Sequence, residues 1–65
     1  MKVKDLKKFL ADLPQDADDR DVVFSAKTLK GLYEVSGALE SHFPEGEAPE
    51  EITKDFILLW NGPKP

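Results

Sequence analysis

The 65-residue sequence predicts an α+β fold, with one N-terminal helix packed on a three-stranded antiparallel sheet in the order helix, strand, strand, strand. Three observations carry that prediction. Apolar residues recur at helical spacing near the start, β-branched and aromatic runs alternate with polar residues in the middle, and the compact apolar run "FILLW" lies near the end. With 40% hydrophobic and 34% charged residues and no internal repeat, the chain has the composition of one small globular domain spanning 1–65.

Val3, Leu6, Phe9, Leu10 and Leu13 fall on one helical stripe, so a helix is expected over residues 3–13. Asp5 sits in its first turn, where a carboxylate complements the helix dipole, while Lys2 and Lys4 have the wrong sign for that end. Pro14 ends the helix, because it disfavours helical backbone at Leu13 and has no N–H to donate. Gln15 to Arg20 form a polar turn. "DVVFSA" and "LYEVSGALESHF", joined by "KTLKG", read as a two-stranded hairpin. Gly37 in the second strand marks a bulge or a close approach of the helix backbone. "PEGEAPEEITK" carries two prolines and a glycine over a short distance and reads as a loop at least up to Ala48. Residues 49–60 fit either a helix starting at Pro49 or a strand at 55–60 after a short helical turn at 49–53. "DFILLW" is apolar on every side, which favours a strand beside two others. The tail at 62–65 is a turn with a frayed end.

The segment "VKDLKKFLADLPQDADDRDVVF" resembles the opening of small, mostly uncharacterised proteins of bacterial, prophage and phage genomes. In those proteins an amphipathic helix ends in "LPQDA" and feeds a strand. The resemblance covers residues 3–24 and rests on Val3, Leu6, Leu10, Leu13, Pro14 and Ala17, which are core or turn positions. It implies α+β topology, and the long acidic loop from Pro44 to Glu51 departs from the shorter turn of that pattern.

Several chemistries lack their residues. With no cysteine and His42 as the sole histidine, neither a zinc site of the usual kind nor a thiol nucleophile can be assembled within one chain. Counted as a calcium loop from Asp16, the acidic turn has Arg20 at position 5, Asp21 at 6 and Lys27 at 12, where an oxygen ligand, a glycine and a glutamate are required. Ser41 and His42 are strand neighbours and point to opposite faces. No glycines are spaced to cradle a phosphate. The expectation is a non-enzymatic protein with no cofactor and no metal.

Net charge −4 opposes general affinity for nucleic acid. The alternative is a small nucleic-acid-binding regulator using the basic helix start at Lys2, Lys4, Lys7 and Lys8. The five-residue apolar run is far below the twenty or so needed to span a bilayer, and the N-terminus reads as part of the fold rather than a signal peptide. A cytoplasmic, membrane-free location is expected. The leading expectation is a protein–protein interaction module, phage- or prophage-associated, that binds a larger protein, as an inhibitor for instance, or assembles with itself as a homo-oligomer. Its candidate surface combines Ile57, Leu59 and Trp60 with the acidic residues Asp16, Asp18, Asp19, Asp21, Glu45, Glu47, Glu50 and Glu51. Phe56 and Leu58 are expected to face the helix, leaving Ile57 and Leu59 on the open side of the sheet.

Overall fold

A computed structural model describes residues 1–25 and 32–64. Helix α1 runs Val3–Ala11, a short 3-10 turn spans Gln15–Asp19, and strands β1 (Asp21–Ser25), β2 (Gly37–His42) and β3 (Asp55–Trp60) form one sheet. The link at 27–31 and Ala26 lie outside the described residues. The molecule is therefore α+β, with one α-helix and one three-stranded sheet among those residues.

Asp5 reaches back to the start of α1, where its carboxylate accepts the Lys2 backbone N–H at 2.9 Å. This is half of a capping box; the Lys2 ammonium can only donate, so it cannot supply the other half. The helix ends two residues before the expected Leu13, and Pro14 leads into the 3-10 turn that fills the expected polar stretch.

The sheet corrects the antiparallel hairpin. Its strand order is β1-β3-β2, with β1 parallel and β2 antiparallel to β3, so β1 and β2 never pair. The physical reason lies in the strands' polarity. "DFILLW" is apolar on both faces and gains most from a neighbour on each side, whereas β1 begins with Asp21 and β2 carries Glu40 and His42, which suit edges. β2 is also shorter than the expected strand, although Ser36 N–H to Trp60 O at 2.7 Å and Phe43 N–H to Lys54 O at 2.9 Å extend its pairing by one bond at each end.

The register from Gly37 opposite Trp60 to His42 opposite Asp55 is unbroken, so Gly37 is not a bulge. The expected helical turn at 49–53 is a single turn closed by Ile52 N–H to Pro49 O at 3.2 Å. A second turn, closed by Glu47 N–H to Pro44 O at 3.0 Å, places Gly46 third with φ +82°, the left-handed value a type II turn demands there.

Cross-strand partners share a face, which sorts the sheet into two sides. One carries Val22, Phe24, Ile57, Leu59, Ala38 and Glu40; the other carries Val23, Phe56, Leu58, Trp60, Leu39 and Ser41. Leu59 lines a cavity together with Val3 and Leu6 of α1, which places the helix over the first side. The expected orientation of β3 is thus reversed: Ile57 and Leu59 lie under α1, and Phe56 and Leu58 lie on the open face. In a strand apolar on both faces, the two-residue period fixes which residues go together but not which set receives the helix. The core is small, with Ala17, Phe56 and Ile57 as its buried hydrophobic residues among those described.

Candidate interaction surfaces

On the helix face, Arg20 leaves the 3-10 turn and its Nη1 donates to Glu40 Oε1 of β2 at 2.9 Å, with Asp16 Oδ1 3.7 Å from Nη2. The hydrogen bond to Glu40 raises the guanidinium pKa further above its ordinary value, and the charges of Asp16, Glu40 and Asp55 act in the same sense. Although charged, the Arg20 side chain is only 17% exposed. Its stem therefore serves as covering for the sheet.

Between α1 and the sheet lies a cavity of about 210 Å³, floored by Val3, Leu6, Val35 and Leu59, with Met1 and Glu34 also on its wall. That volume is below the range of small-molecule sites, about 300–1,000 Å³, and suits a single side chain. The Met1 amine donates to Glu34 Oε1 at 2.9 Å and to Val35 O. Its hydrogen bond and positive charge hold the Glu34 carboxyl below the ordinary glutamate range.

The open face is built differently. Phe43 and Phe56 stack with ring centroids 4.6 Å apart and tilted by 32°, which buries Phe56. At the other end the Trp60 indole lies over Gly37, where a methyl group would come within 2.4 Å of the ring. Val23, Leu39 and Leu58 form one cross-strand row between them, all half-buried.

The acidic residues do not act as a group. Asp16 pairs with Arg20, and Asp18 and Asp19 are exposed. Asp21 exchanges hydrogen bonds with Thr53: its N–H donates to Thr53 Oγ1 at 3.0 Å and its Oδ2 accepts the Thr53 N–H at 2.9 Å. Glu45, Glu47, Glu50 and Glu51 are exposed around the second loop. Among the described residues no three of His, Cys, Asp or Glu converge as metal ligands. His42 is exposed at the far end of β2 from Ser36, whose hydroxyl accepts the Gly62 N–H at 2.9 Å. No helix among the described residues is long and apolar enough to cross a membrane.

Of the candidate apolar surface, Ile57 is only 3% exposed and Leu59 lies under α1, whereas Trp60 lies on the open face with Leu58. Two features escaped sequence reasoning. The Asp21–Thr53 exchange joins positions 32 apart with no local signature. The apolar edge of β1, with Val22 63% and Phe24 42% exposed, belongs to the continuous apolar run of "DVVFS" and became an edge only once β3 took the centre. Comparison with protein-family models, curated proteins and solved structures finds no match to this chain.

Proposed function

We propose that the protein is a small non-enzymatic interaction module that binds a larger protein through the sheet face opposite α1. The observation supporting this is the row Val23, Leu58 and Leu39, flanked by Trp60, half-buried on a face that α1 does not cover. The acidic loop begins directly after Phe43, so Glu45 and Glu47 supply a polar rim to an apolar centre, the usual anatomy of an interface. A partner with basic residues around an apolar patch fits that arrangement. The resemblance of residues 3–24 to small phage and prophage proteins favours a bacterial cytoplasmic setting and an inhibitory role toward a host protein.

The test is to compare wild type with Leu39→Lys and Val22→Lys as baits for host proteins, then titrate the purified partner while following Trp60 fluorescence. Leu39→Lys should abolish binding and Val22→Lys should spare it. Equal binding by Leu39→Lys would remove the open face from the reading. Retention of the wild type on duplex DNA at about 50 mM salt, falling steeply as salt rises, would favour a nucleic-acid regulator acting through the exposed Lys2, Lys4, Lys7 and Lys8.

A further inference from the structure

Among the described residues the sheet has two edge strands, β1 and β2, and they are guarded unequally. β2 presents exposed Glu40 and His42, charged or polar groups of the kind that deter strand addition. Over Asp21–Ser25, β1 has no lysine, no proline and no bulge, and its register against β3 is unbroken. It leaves Val22 63% and Phe24 42% exposed on the helix face, beyond the cover that α1 gives Leu59.

We infer that β1 is the strand by which a second copy of this chain joins the sheet, antiparallel and about a two-fold axis at Val23. The inference rests on the reading of the chain as an interaction module, but it uses a different surface. What selects a second copy is the self-complementarity of "DVVFS". About that axis Val22 faces Phe24 of the second copy, Val23 faces its own equivalent, and Asp21 faces Ser25, so apolar meets apolar and no two charges are opposed. The antiparallel sense also separates the acidic turns: the two Asp21 residues stand four positions apart, roughly 13 Å at ~3.3 Å per residue. Parallel addition in register would set them side by side. The product is a continuous six-stranded sheet with β2 at both outer edges.

A five-residue strand pair buries less than the roughly 800 Å² per partner of a standard interface. The dimer is therefore weak and depends on concentration. Sedimentation equilibrium of the full chain from about 10 μM to about 1 mM should show mass rising from monomer toward dimer, as binding at micromolar or weaker Kd requires. Phe24→Lys and Val22→Lys should stay monomeric throughout with unchanged circular dichroism, because both positions are exposed. Leu58→Lys, on the open face, should still dimerise.

The axis has its own test, made clean by the absence of native cysteine. Opposed Cα atoms in an antiparallel pair lie about 4.5–5.5 Å apart, within disulfide reach, so Val23→Cys should oxidise to a covalent dimer. Ser25→Cys should not, its sulfur being too far from its equivalent. A wild type that remains monomeric at 1 mM overturns the inference, as does Ser25→Cys linking as fast as Val23→Cys. Dimerisation lost in Leu58→Lys but kept in Phe24→Lys would assign self-association to the open face instead, overturning the β1 interface while leaving the interaction-module reading standing.

Discussion

Gly37 and Trp60 face each other across β2 and β3, and the indole occupies the space a side chain at Gly37 would need. Glycine here serves the ring rather than the backbone. Gly37→Ala should push the indole off the sheet, at a cost of about 1–3 kcal/mol for overpacking, partly offset by the better strand propensity of alanine. Thermal melts measure the cost, and Trp60 emission should shift to the red as the ring enters water. Unchanged emission would mean that the indole does not rest on Gly37.

Arg20 links the end of the 3-10 turn to β2 through Glu40. Arg20→Ala removes the ion pair and the aliphatic stem that covers the sheet, whereas Glu40→Gln removes charge alone. The melting temperature should fall further for Arg20→Ala than for Glu40→Gln, and about 0.5 M salt should erase most of the Glu40→Gln effect, as expected of a partly exposed pair. Equal losses would assign the contribution to charge rather than to packing.

How the sequence announced this fold differs from element to element. Val3, Leu6, Phe9 and Leu13 repeat at helical spacing, and Pro14 and the Gly46 turn carry their own backbone chemistry, so α1 and the second loop were readable locally. Residues 55–60 were readable as a strand because an all-round apolar run needs cover on both sides. The order of strands was not, since parallel pairing of Asp21–Ser25 with Asp55–Trp60 joins segments more than 30 positions apart. Nor was the choice of face. Phe56, Leu58 and Trp60 form as apolar a set as Ile57 and Leu59, and only the three-dimensional packing, in which Val3 and Leu6 share a cavity with Leu59, shows that α1 lies over the second set. The candidate surface inherited that ambiguity: its acidic members lie in exposed turns or in local pairs, but its apolar members depend on orientation.

The Met1 amine and Glu34 give the chain a pH dependence with a definite sign. The Glu34 carboxyl is held below its ordinary range in the folded state, so the pair contributes stability that is fully present above the unfolded-state pKa. That contribution is lost as pH falls through the lower, folded-state pKa. Glu34 is well exposed, so the effect should be small and weakened by salt. Carboxyl-carbon NMR titration should place Glu34 below the ordinary glutamate range, and acetylation of the Met1 amine should return it to that range. A Glu34 titration indifferent to acetylation would dismiss the pairing.

The two faces of β3 make the sharpest comparison. Ile57, 3% exposed, sits under α1 with Val22 and Glu40 as its cross-strand partners. Ile57→Ala should cost about 2–4 kcal/mol through lost burial and the cavity left behind. With so few buried side chains among the described residues, that is a large share of the total stability. Ile57→Asp, an unpaired charge in the core, should leave the chain unfolded at 25 °C. Leu58 is its immediate neighbour on the open face and half-buried, so Leu58→Asp should retain the far-ultraviolet circular dichroism of the wild type at reduced stability and lose binding of any partner through the face proposed for it. Circular dichroism and urea melts on the pair decide the matter. Should Leu58→Asp unfold while Ile57→Asp keeps its structure, α1 covers the other side of the sheet, and the surface proposed for partner binding becomes the core.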